Sequence, residues 1–512
     1  MARRIVVNRD KCTGCGICVR NCPVQAVSLV EGKASIGENC VGCTLCVRMC
    51  PLEALTVEEV EKPKAAKCFH CPVECEIPEG RLGACKRYTN VNGRIELAEP
   101  LVVPRKKPLN VEEAVREKAL SRPLLTGIGA GTTYPDLNPA PYIVEDQVDS
   151  VDVVTVVSET PLSYCGLILK IDTDRNIGRE GDPVKREGVK VGTIIMEQYG
   201  SKLLQIGGVN TFIQKLGAVA ARTVVDLANG ETVPLETPNH KLELMVGKPP
   251  VIDGEMDERM RVGCGSATVG MFGDVLKEVA DEVIVVDHHI TAALSEHAAG
   301  RFLGLTPKGV IPRGRKSTPG RYFGFPGEGW GGTDIREPEQ AVAKLDPEKV
   351  KPGMRIFVVE TTGSRGALLE VQPDLSLKRV ELTEKAREAM RLIAENCERS
   401  RVSAMLIAGL GGSARRGVTR YPLKLNEAVH RGLVKVSIGG APAYIMPGGG
   451  ITFLADVEKM ARRRLHWTPT PAIIAPVEYT MERRLYEAIG GHLQALKPLK
   501  EALKGRKVEY VD

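Results

Sequence analysis

Cysteines at 12, 15, 18 and 22, with Pro23 after the last, have gaps of two, two and three residues. The same gaps and the same trailing proline return at Cys40, Cys43, Cys46, Cys50 and Pro51. Two-residue gaps let successive thiolates converge on one inorganic cube, and in this run the fourth cysteine serves the other cluster. The spacing therefore assigns Cys12, Cys15, Cys18 and Cys50 to one [4Fe–4S] cluster, and Cys40, Cys43, Cys46 and Cys22 to a second. Structural zinc fits poorly, because it favours paired Cys-x2-Cys knuckles rather than two full copies of this run.

A further four cysteines, Cys68, Cys71, Cys75 and Cys85, are spaced irregularly. They suit either zinc or an iron–sulfur cluster, and the redox module beside them favours iron–sulfur, in the style of a [2Fe–2S] loop. His70 lies between two of these ligands, as a substitute ligand or as a donor to sulfur. Twelve of the fifteen cysteines precede residue 86, and no apolar leader precedes the first of them. Metal in a reducing cytoplasm is the expected use, not disulfides.

The bulk composition narrows the class. A net charge of +6, with aromatics at only 4% and no Lys/Arg runs between them, argues against a nucleic-acid binder. No run approaches the roughly 18 apolar residues of a membrane span. A chain of 512 residues exceeds one compact core. The expected fold is an α+β ferredoxin-like double-cluster module (1–60) and a four-cysteine segment (61–98), followed by an α/β body of two lobes, 99–335 and 336–512. The runs VDVVTVV, EVIVVD, RIFVVE, AMLIAGL and PAIIAP read as strands, and LTEKAREAMRLIAENC and YTMERRLYEAIGGH as helices. The glycine-rich segment 314–334 is expected to be a long functional loop or the boundary between lobes.

The double run, then CFHCPVECEIPEGRLGACKRY, then a long body containing GCGSATVGMFG, resembles the 6-hydroxynicotinate reductase family, and the likeness spans essentially the whole chain. It implies a reductase that takes electrons from reduced ferredoxin to reduce 6-hydroxynicotinate or a similar N-heterocyclic acid to its tetrahydro-6-oxo product. It also implies a [2Fe–2S] cluster on Cys68, Cys71, Cys75 and Cys85, and a covalently held flavin. The rival reading is a non-catalytic iron–sulfur subunit that docks a separate catalytic partner. A homo-oligomer is compatible with either.

A flavin exchanges single electrons for a hydride, yet neither GIGAGTTYPD (127–136) nor GLGGSARRG (409–417) gives a clean dinucleotide fingerprint. In GCGSATVG, the residues Gly265, Ser266 and Thr268 resemble a site where FMN phosphate is esterified to threonine. The competing reading is a turn in which Ser266 or Thr268 caps the following helix. Asp287, His288 and His289 follow the strand EVIVV, where open α/β sheets bind ligands. One of the histidines is expected to donate a proton to the ring, or else the pair serves to cap and to pack. Arg415 and Arg416 are the expected partners of a substrate carboxylate, with Arg313, Arg315 and Arg321 behind them.

Overall fold

The computed structural model describes residues 2–61, 65–104, 139–199, 201–317, 320–324, 327–470 and 472–511. The sequence GIGAGTTYPD and most of the Pro/Lys linker before it lie outside them.

The strands Ala2–Val7 and Leu55–Val60 pair antiparallel and bring the two ends of the cysteine module together. The short helices Ile17–Arg20 and Leu45–Met49 sit inside the two cysteine runs. Each starts from a residue in the left-handed region, Gly16 and Thr44, so that the chain can turn sharply around a cluster. The third segment contains two hairpins, Ala65–Lys67 with Glu76–Pro78 and Tyr88–Val91 with Arg94–Leu97.

The body is organised by one strand of 22 residues, Val151–Asp172, rich in Val, Thr, Ile and Leu. Its first half pairs with Ile473–Glu482 and its second half with Val402–Leu410. A register shift between Ser163 and Gly166 lets it bend from one partner to the other. From Val402–Leu410 the pairing continues through Ile451–Asp456, Ala441–Ile445 and Lys435–Ile438 back to Ile473–Glu482. Six strands thus close a barrel, filled by the largest hydrophobic cluster of the molecule. The buried helix Gly217–Ala228 packs on the antiparallel extension that leaves the barrel through Ser201–Gly207.

Residues from about 260 to 399 form a unit inserted into that barrel. Entry and exit are stitched together by Met260 N–H to Glu398 O, 2.9 Å, and Ser400 N–H to Glu258 O, 2.9 Å. The unit has its own five-stranded sheet, in which Glu282–Val286 and Arg355–Glu360 run parallel. The helices Gly265–Leu276 and Glu384–Glu395 cover one face. Val310, Trp330, Ile335 and Ala341 cover the other.

A division at residue 335 would cut this unit in two. The glycine-rich segment is no linker, because Trp330 and Ile335 are buried in the core. Gly331 also packs so closely that a Cβ would stand 2.3 Å from Val286 O. The body is mixed α/β with a barrel, largely antiparallel, rather than a succession of βαβ units. At YTMERRLYEAIGGH the strand persists to Glu482 and the helix is only Arg483–Ala488.

Candidate redox centres and ligand cavity

Cys12, Cys15, Cys18 and Cys50 line one small cavity, together with Gly14, Gly16 and Ala34. Backbone N–H groups donate to sulfur from Ala34 to Cys12 (3.4 Å), Ala54 to Cys50 (3.3 Å) and Ala26 to Cys22 (3.1 Å). The Ala34 bond, with one from Gly14, holds the Cys12 thiol below its usual range. Burial pushes the Cys43 thiol up to about 11, and the nearby charges of Cys22 and Cys40 add to the rise. Cys46 is raised further, by burial and then by Cys43, Cys40, Cys22 and Cys18. Thiols so crowded become stable thiolates when a cation binds them. Amide donors aimed at sulfur and four-thiol linings are what an iron–sulfur cluster requires, so the residues fit it.

Cys68, Cys71, Cys75 and Cys85 line another small cavity with His70, Arg87 and Tyr88. His70 stacks on Tyr88, with centroids 4.0 Å apart and planes 2° from parallel, and burial lowers its basicity. Cys75 feels the charge of Cys43 and Cys46 that of Cys18, so the three cysteine sets stand in a row. Thr468, Pro469 and Ile474 of the body complete the third cavity. Arg87 pairs with buried Glu159 on the long strand, and His466 Nδ1 lies 3.1 Å from Cys85 O. The third set therefore sits against the barrel, where Ile474 pairs with Pro161.

Arg415 and Arg416 lie near this same end. They follow Leu410, which pairs with Leu162, the residue after Pro161. Arg415 is tied to Asn426 and to Gly411 O. Arg416 Nη1 is buried without a hydrogen-bond partner among the described residues.

Asp287, His288 and Thr268 belong to the inserted unit, at the opposite end of Val402–Leu410. Nine residues of strand span roughly 25–30 Å, so the expected catalytic and carboxylate-binding residues do not meet. Asp287 accepts from His289 N–H (2.9 Å) and Ile290 N–H (3.1 Å) and pairs with Arg261. Burial, with Arg261 nearby, pushes His288 down to about 3, which leaves it neutral and a poor store for a transferable proton. His289 packs edge-on to Tyr322.

The capping sulfur of helix Gly265–Leu276 is that of Cys264, which accepts from Ala267 N–H at 3.4 Å. Neither Ser266 nor Thr268 has that part. Ser266 Oγ faces His297 Nε2 at 2.8 Å. Thr268 is 0% exposed and donates to Cys264 O at 3.1 Å. As folded, this turn does not fit a phosphoester anchor, since the hydroxyl is engaged and shielded.

Sequence reasoning missed the cavity of about 750 Å³ between the inserted unit and the sheet extension. Asp174, Asp257, Arg261, Asp287, Gly331 and Glu360 are among its lining residues. Its parallel strands end there, at Asp287 and Glu360, as ligand sites in such sheets do. The one legible signal was that strand end. Arg261 and Asp174 carried none.

Three cysteine sets in series on a large folded body define an iron–sulfur oxidoreductase. Residues 5–28 match the family described as 4Fe-4S binding domain. A curated protein of Eubacterium barkeri named 6-hydroxynicotinate reductase is 46% identical over 500 residues, covering 97% of this chain and 99% of that protein. The chain belongs to the 6-hydroxynicotinate reductase family. No solved structure matches it.

Proposed function

We propose that this oxidoreductase takes electrons from reduced ferredoxin and reduces one ring double bond of 6-hydroxynicotinate or a close N-heterocyclic acid. The observation that carries the reading is the likeness of the whole chain to the reductase of that name. Cys12, Cys15, Cys18 and Cys50 would hold the first [4Fe–4S] cluster, and Cys22, Cys40, Cys43 and Cys46 the second. Cys68, Cys71, Cys75 and Cys85 would hold a third, of the [2Fe–2S] kind. A flavin would supply the exchange between single electrons and a two-electron transfer.

Reduction is assigned to the barrel end that adjoins the third cysteine set. Hydride transfer needs the substrate against the flavin, and the reading seats the flavin beside the third set, from which the cavity at Asp287 lies a whole strand away. At the barrel end, Arg416 offers a buried Nη1 without a partner, which suits the substrate carboxylate. Arg415, fixed by Asn426, shapes the loop that presents it. The Arg87–Glu159 pair and the His70–Tyr88 stack keep the third set dry and seated.

The test is anaerobic reduction of the holoenzyme, followed by reoxidation with a panel of heterocyclic acids. Reoxidation by 6-hydroxynicotinate, with a product two hydrogens heavier, is expected. If no acid in the panel reoxidises the protein, the reading fails.

A further inference from the structure

Arg261 is only 7% exposed and is gripped from two sides. Its Nε lies 2.6 Å from Asp174 Oδ1 and its backbone N–H donates to Asp174 Oδ2 at 3.0 Å. Its Nη1 pairs with Asp287, which is wholly buried. Its third nitrogen, Nη2, is buried without a hydrogen-bond partner among the described residues. Leaving such a donor unpaired is costly, so the wall calls for an acceptor from a ligand. Arg261 lines the cavity beside Gly327, Gly329, Gly331 and Gly332.

The surroundings select the kind of acceptor. A ligand carboxylate at Nη2 would stand near two fixed carboxylates, and like charges that close repel one another strongly in a partly buried site. A neutral carbonyl oxygen avoids that repulsion. Asp174 keeps 27% of its side chain exposed, whereas Asp287 keeps none. Asp174 is therefore the acceptor within reach of an N–H beside the carbonyl. Adjacent N–H and C=O groups on a ring are the edge of a lactam, and the pyridone form of 6-hydroxynicotinate has that edge.

We infer that this cavity is a second small-molecule site, distinct from the site of reduction, which takes a cyclic amide with its carbonyl on Arg261 Nη2 and its ring N–H on Asp174. The choice of substrate or product as occupant rests on the proposed function; the lactam chemistry does not. Protein packed around Asp174, partly offset by Arg261 and reinforced by Asp287 and Asp257, pushes its carboxyl up to about 6, with Lys202 acting weakly the other way. The ionised carboxylate is the stronger acceptor of an N–H, so occupancy should fall as pH drops below that value.

The experiment is equilibrium dialysis of the oxidised holoenzyme, with 6-hydroxynicotinate, 2-pyridone and N-methyl-2-pyridone as probes. Two molecules of 6-hydroxynicotinate should bind per chain in the wild type, and one in Arg261→Gln. 2-Pyridone, which lacks the carboxylate, should bind in an Arg261-dependent way. N-methylation should weaken it at least tenfold in the wild type and hardly at all in Asp174→Ala. Arg261→Lys and the probe comparison on unaltered protein cover the case in which Arg261→Gln fails to fold. A single binding event unchanged in Arg261→Gln, or equal affinity for both pyridones in the wild type, overturns the inference. Arg261-dependent 2-pyridone binding in a protein that does not reduce 6-hydroxynicotinate would leave the site standing and remove the proposed substrate.

Discussion

Arg87 and Glu159 form an ion pair across the seam between the third cysteine segment and the barrel, with side chains only 2% and 1% exposed. Burial raises the Cys85 thiol, and Arg87 is the largest influence acting against that rise. The pair thus seats the segment and sets the charge beside its cysteines. Glu159→Gln leaves Arg87 buried and uncompensated, which costs about 3–5 kcal/mol. Thermal unfolding should shift down by several degrees, and the iron lost on mild heating should come first from the third set. Unchanged unfolding would contradict a structural role for the pair.

Cys75 stands between the second and third sets, since it lines the third cavity and feels Cys43. Cys75→Ser should remove one signal from the electron paramagnetic resonance spectrum of the reduced protein and lower its iron content. The signals of the first two sets should persist. Zinc in place of that missing iron in the wild type would show the third set to be structural.

On the proposed function, Arg416→Gln would remove a charge-assisted hydrogen bond to the substrate carboxylate, of about 1.5–3 kcal/mol. The Michaelis constant for 6-hydroxynicotinate should rise about 10–100-fold while cluster content stays normal. Arg261→Gln should leave that constant largely unchanged. Steady-state kinetics with reduced ferredoxin separates the two.

Glu478 is fully buried in the barrel wall, and burial pushes it up to about 8. Ser437 Oγ donates to its Oε2 at 2.7 Å, while its Oε1 is unpartnered among the described residues. A carboxyl whose folded value lies above its unfolded one holds its proton in the folded state. Its contribution to stability is therefore full below about 4.5 and declines as pH rises toward about 8. Denaturant titrations across pH 5–8 should show that decline in the wild type and a flatter profile in Glu478→Gln.

The cysteine runs could be read directly, because ligand spacing is local and two-residue gaps suffice to aim neighbouring thiolates. The buried strands EVIVV, RIFVVE and AMLIAGL were equally plain, since β-branched runs of that length mark an interior strand wherever it lies. Partner and direction were not legible. Alternation marks a face, but it does not say that Pro161 will meet Ile474 or that Val402–Leu410 will run away from the inserted unit.

The sequence by itself determined that this chain has a 4Fe–4S binding domain, sets twelve of its cysteines in three groups and belongs with the reductases. Only the tertiary structure decided which residues share a site. Antiparallel pairing put Arg416 beyond the Leu410 end of Val402–Leu410 and His288 beyond its other end. Closure of the inserted unit brought Arg261 between Asp174 and Asp287, contacts across 87 and 26 residues that no local pattern encodes.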